Sequence, residues 1–239
     1  KNMWNYGGTP FSNNASLRWQ SMTMNRYEWD VKETFAWNWL DSRLLRGGPD
    51  VRFGSYFLTS AKFNTDKAKR MMFMLKYEGD HNFEGNRFNT ISPSLTFRLG
   101  NHVYLSGQLD YAWNTDEMQY VATTSPLSSS SLAPYYYVMG HMDQKTYGLT
   151  LKLQVNVTPD ISIQFYGAPF TSIAKYDDFK LAADTKSHTF ENRFQRIDPD
   201  QLTYADGVYT IGEGAGQMPF RNPDFRFNEF RSNLVARWE

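Results

Sequence analysis

The chain has 239 residues, 25 Lys+Arg balanced by 25 Asp+Glu, no cysteine and 17% aromatic residues. That length suffices for one large all-β or α/β domain with a full core. Zero net charge argues against a nucleic-acid binder, which carries a basic excess, and the absence of cysteine excludes disulfide scaffolds, thiolate zinc sites and cysteine nucleophiles.

No run of about 18 apolar residues is present, so no transmembrane helix is expected. The chain opens at Lys1 with no secretory leader and reads as a mature or partial chain. Instead, apolar and polar residues alternate strictly, the signature of half-buried strands. The first such stretch is Tyr27–Trp39, where Tyr27, Trp29, Val31, Phe35, Trp37 and Trp39 oppose Glu28, Asp30, Lys32 and Thr34. Val51–Phe63, Lys69–Tyr77, Phe88–Leu99 and His102–Trp113 follow. Lys145–Val157 is the clearest, with Tyr147, Leu149, Leu151, Leu153 and Val155 against Thr146, Gly148, Thr150, Lys152 and Gln154. Ile161–Tyr166 and Phe230–Trp238 complete the series. The prediction is an all-β chain of about nine long antiparallel strands.

Three places break the alternation. Glu33 sits on an otherwise apolar face, Pro93 removes a ladder donor, and the apolar parity changes between Phe227 and Phe230. Bulges or strand ends are expected there, or, for Glu33, a position outside the hydrocarbon.

The connections alternate in length. Short turns fall at Thr23–Asn25, Asn64–Lys67, Gly100–Asn101 and Thr158–Asp160, and longer loops at Asp41–Asp50, Glu78–Arg87, Asn114–Gln144 and Thr171–Asp224. Strands of about 10 residues or more with loops sorted by side match a transmembrane barrel, whose strands need roughly 9–11 residues to cross. The apolar positions then face lipid, edged by Trp and Tyr, and the charged positions face a wet lumen. The expected architecture is one up-and-down outer-membrane β-barrel domain over residues 1–239, with 171–224 as a long loop or plug-like insertion. A soluble sandwich with one buried and one solvated face gives the same alternation.

Within that frame Glu28, Asp30, Lys32, Arg98, Asp110, Lys152 and Arg237 are candidates for luminal selectivity. Their competing role is mutual pairing that fills the interior. Ser128–Ser131 reads as a solvated loop tip, with Met118–Val121 and Tyr135–Met139 extending the strands beyond the membrane. Tyr135, Tyr136 and Tyr137 are candidates for stacking on a sugar, or else interface-belt and hairpin-covering rings. No phosphate-binding or nucleophile-elbow motif occurs, and His81, His102, His141 and His188 are scattered without ligand spacing. Neither cofactor nor metal nor catalytic group is expected, and Gly47-Gly48-Pro49 reads as tight loop geometry. A membrane-embedded hydrolase would need a Ser–His pair that no spacing here singles out.

Three stretches carry a resemblance: Leu45-Arg46-Gly47-Gly48-Pro49; Tyr166–Phe170 followed by Lys175–Lys180 and Phe190–Phe194 with Arg193; and Asp224–Glu239. Together they resemble the C-terminal barrel domain, of uncharacterised function, of Gram-negative outer-membrane proteins. In that family a β-sandwich similar to the family-9 carbohydrate-binding modules usually precedes the barrel. The resemblance implies a cell-outer-membrane location, lipid and other outer-membrane proteins as partners, and glycan association through the preceding module. It also implies that strands beyond Glu239 complete the barrel, because family members continue past the Arg237-Trp238-Glu239 stretch. The function so implied is a pore or membrane platform for nutrient uptake or binding, with an assembly subunit as the alternative.

Overall fold

Strict two-residue alternation leaves each segment one way to bury backbone polar groups, which is pairing with its neighbour in the chain. The structure, a computed structural model, describes residues 2–4, 10–37, 39–100, 102–127 and 134–238. In chain order the strands are β1 (Asn2–Trp4), β2 (Pro10–Met22), β3 (Glu28–Trp37), β4 (Trp39–Asp41), β5 (Val51–Phe53), β6 (Tyr56–Asn64), β7 (Met71–Asn82) and β8 (Arg87–Leu99). They continue as β9 (Val103–Thr124), β10 (Tyr136–Asn156), β11 (Ile161–Ala182), β12 (Phe194–Arg196), β13 (Leu202–Ala205), β14 (Val208–Ile211), β15 (Met218–Arg221) and β16 (Phe225–Trp238). The one α-helix among the described residues, α1 (Phe190–Arg193), is a single turn.

The protein is all-β and antiparallel. The main sheet runs β1-β2-β3-β6-β7-β8-β9-β10-β11-β12, with β16 also on β11. β16 pairs residues 161–174 of β11 and β12 pairs residues 180–182, so one strand edge is divided between two partners. Among the described residues the far edge of β16 pairs with nothing, and no pairing joins the two ends of the sheet.

The sheet's two faces differ in kind. On one face Leu17, Trp19, Trp29, Leu95, Leu105, Leu109, Leu151, Ile163 and Leu234 are exposed. Leu151 retains 39% and Leu234 69% of its surface, and among the described residues no second sheet covers this face. On the other stand Asp30, Lys32, Lys62, Glu78, Arg98, Asp110 and Lys152. The two buried apolar clusters lie at the loop-side ends of β9–β11. There Leu45, Val51, Met118, Met139 and Phe194 form one core. Val138, Phe179, Ile211 and Phe220 form another, under the small sheet β13–β14–β15. Each fully buried aliphatic or aromatic side chain contributes about 1.5–3 kcal/mol.

Several expectations need correcting. None of the three breaks in alternation is a bulge. The β2–β3 and β3–β6 registers run unbroken through Leu17↔Glu33 and Glu33↔Thr59, and Thr59 Oγ1 donates to the Glu33 carboxylate at 2.7 Å. Pro93 leaves the β8–β9 register unchanged. The β11–β16 register is continuous from Phe225 to Trp238, with Phe225 and Phe227 on the polar face, where Phe227 meets Phe170. The register shifts that do occur in the long strands lie higher, around Val138–Met142, where β9 and β11 each carry extra residues opposite β10.

Loop boundaries move as well. The predicted 78–87 loop is the turn at 83–86, and most of 114–144 belongs to β9 and β10. The segment predicted as loop from 171 is strand to Ala182. Val51–Phe63 is two strands broken at Gly54–Ser55, and Pro10–Met22 is a strand the alternation reading passed over. Asn38, Asn101, the Ser128–Ser131 tip and the ends at Lys1 and Glu239 lie outside the described residues.

Candidate functional site: the polar face and its loop-side rim

Alternation delivers every predicted luminal charge to the same face, where the ion pairs are uneven. The Asp30 carboxylate takes two bonds from Arg18, at 2.8 and 2.5 Å, and one from Gln20 at 3.2 Å. Glu28 accepts from Lys67 at 2.5 Å and Asn64 at 3.1 Å. Asp110 accepts from Ser92 at 2.6 Å and Gln108 at 2.9 Å. Among the described residues the Arg98 side chain reaches the Lys67 carbonyl, at 3.4 Å, and no carboxylate. Lys32, Lys62, Lys152 and Arg237 make no ion pair among the described residues. Asp30 and Glu28 therefore pair with Arg18 and Lys67, which the sequence reading did not single out, while Asp110 is held by neutral donors and Lys32, Lys62, Lys152 and Arg237 add unpaired positive charge to this face.

The three tyrosines do not form one platform. Tyr135 is exposed before β10, while Tyr136 and Tyr137 point to opposite sides as successive strand residues. Tyr137 packs against the first core and so closely over Gly48 that a Cβ there would lie 2.6 Å from its ring.

At the loop-side rim the polar face opens into a cavity of about 410 Å³. Trp39 and Phe53 come from the β4–β5 hairpin, Tyr56 from β6, Asp80 from β7, Phe88 from β8 and Asp116 from β9, with Asp41 and Arg87 at the edge. Several local acceptors are already used by backbone. Asn82 Oδ1 accepts from the Glu84 and Asn86 amides, both at 2.9 Å, and Asn86 Oδ1 from Glu117 N at 2.7 Å. Burial holds the Asp116 carboxyl above the usual range; nearby Glu117 and Asp80 push the same way, while the Met118 amide and Lys180 oppose it.

Arg193 fastens this rim. Its side chain is fully buried and forks onto the Glu84 carboxylate, and it also donates to the Arg52 carbonyl. Glu84 Oε2 in turn accepts from Gly54 N at 2.9 Å. Three separate loops, around 50–54, 82–87 and 183–193, meet at this one pair. Thr185 Oγ1 to the Asp50 carbonyl, 2.7 Å, and Arg52 N to the Thr185 carbonyl, 2.8 Å, extend the seam. Sequence reasoning missed Glu84, Asp80 and Asp116, which carry no local signal. Arg193 stood inside a quoted motif with no role attached.

On β10, His141 Nδ1 lies 3.1 Å from Glu117 and Nε2 3.6 Å from Asp143. Burial pulls the His141 pKa down, but the Glu117 hydrogen bond and the charges of Glu117, Asp177 and Asp143 outweigh it and leave the pKa raised.

A family model described as a domain of unknown function (DUF5916) matches residues 3–205. No curated protein matches the chain, and no solved structure does.

Proposed function

That match covers well over half of the chain, which therefore belongs to the DUF5916 family, and from this premise we propose that it forms part of an outer-membrane β-barrel of a Gram-negative cell. In this reading it serves as a pore or membrane platform in nutrient uptake or binding at the cell surface. The observation that carries the reading is the uncovered apolar face. Nine long strands in succession expose Leu, Ile, Phe and Trp on one side and hold Asp, Glu, Lys and Arg on the other. Water tolerates no such continuous greasy surface on a monomer, whereas acyl chains require one. The soluble sugar-binding sandwich needs a second sheet over Leu151 and Leu234, and both remain exposed. The connection to glycans rests on the resemblance alone.

Fractionation of cells with the full-length protein tests the location: recovery only with detergent supports it, and release by salt or buffer overturns it. Conductance of the purified protein in planar bilayers then separates pore from platform. An assembly role would use the outer edge of β16, 14 residues long and unpaired among the described residues, to take a further strand from the same protein or a neighbour.

A further inference from the structure

The rim cavity is a walled site with an unusual charge balance. Its wall carries Asp41, Asp80 and Asp116 against the single cation Arg87, and none of these three carboxylates makes an ion pair among the described residues. One oxygen of Asp41 caps the Arg43 and Leu44 amides, at 2.6 and 3.1 Å, and one of Asp116 takes the Met118 amide at 2.9 Å. Among the described residues the second oxygen of each takes no such bond. Around these acids stand the rings of Trp39, Phe53, Tyr56 and Phe88.

We propose that this cavity binds a small organic cation, an ammonium or guanidinium compound, with its charge between Asp80 and Asp116 and its carbon body against Trp39, Tyr56 and Phe88. Two physical arguments select that chemistry. Aromatic faces and carboxylates together favour a cation over an anion or an aliphatic ligand. A bare metal ion is disfavoured, because no group of three or more acidic or histidine side chains converges to hold one among the described residues. The elevated Asp116 pKa fits as well, since a carboxyl short of stabilisation gains most from an arriving positive charge. The Arg193–Glu84 fork ties together the loops that form two of the walls, so the cavity is built before any ligand arrives.

The test is calorimetric titration of the full chain in detergent micelles, which reads the cavity whether or not the sheet closes into a pore. Choline and agmatine are the probes, with 3,3-dimethylbutan-1-ol as the neutral isostere of choline and maltose as a neutral sugar. At least one cation is expected to bind, more tightly than either neutral compound by about tenfold, and D80N/D116N is expected to remove about tenfold of that affinity. In the unaltered protein, acid is expected to weaken cation binding as the carboxylates protonate, which keeps the test decisive if the double variant misfolds. The proposal is overturned if neither cation binds at about 20 mM, if the alcohol or maltose binds as well as the cations, or if acid leaves cation affinity unchanged.

Discussion

Arg193 and Glu84 are 109 residues apart in the chain, yet their side chains form a two-pronged ion pair in which the guanidinium is fully buried. Removing one partner of a buried pair strands the other charge, which costs about 3–5 kcal/mol. Arg193→Ala is therefore expected to release the loops around 50–54 and 183–193 to protease while the long strands stay protected. Limited proteolysis with mass-spectrometric mapping checks this. Uniform loss of protection along the strands would show that the fork supports the whole sheet.

The two faces of β10 give opposite mutational outcomes if the apolar one meets lipid. Leu151→Arg is expected to destabilise the protein in vesicles by about 2–4 kcal/mol, the range for a cation near the bilayer midplane. Lys152→Ala, one residue away, is expected to stay within about 0.5 kcal/mol. Urea unfolding in lipid vesicles measures both. Equal, small effects at the two positions would remove the membrane reading.

The unpaired Lys32, Lys62, Lys152 and Arg237 predict anion preference for any conducting form. Reversal potentials under a salt gradient are expected to favour chloride over potassium, and K32E/K152E to shift them toward cations. Cation preference in the unaltered protein would assign selectivity to other residues.

His141 gives a pH dependence whose sign follows from its raised pKa. A histidine whose folded pKa exceeds its unfolded value, about 6.5, lends stability that is complete below that value and lost as pH rises through the folded pKa. Amides near Gly140–Asp143 are expected to exchange hydrogen more slowly, after correction for intrinsic rates, at pH 5.5 than at pH 8.5 (roughly one unit below and two above the reference). His141→Gln is expected to abolish the difference. Protection that rises with pH would reverse the assignment.

How much of this was legible beforehand depends on range. The period-two pattern at Lys145–Val157 fixes both the strand and the face of every residue in it, because alternation is a local property of the backbone. Glu33, Pro93 and Phe227 look like bulges for the same reason, and none is one. Thr59 satisfies Glu33 from the next strand, and Pro93 gives up a donor without moving the register. The real shifts near Gly140 answer to packing against Phe179 and Val121, neighbours only in space. The cavity was illegible because Asp80 and Asp116, 36 positions apart among 25 scattered acidic residues, meet only through the pairing of three strands. The fork at Glu84 is longer-range still.

β9, β10 and β11 hold 22, 21 and 22 residues, about 70 Å of extended chain. In the proposed barrel, a bilayer would take only about ten residues of each. In that reading and with an ordinary strand tilt, the remainder would carry the strand tips roughly 30 Å clear of the lipid, with the twin hydrophobic clusters somewhat below them. The three ribbons thus act as a mast, stiffened by packing on both sides near its top. In the membrane reading, anything that docked there would be met well out from the membrane plane, at a height that short hairpin turns would never reach.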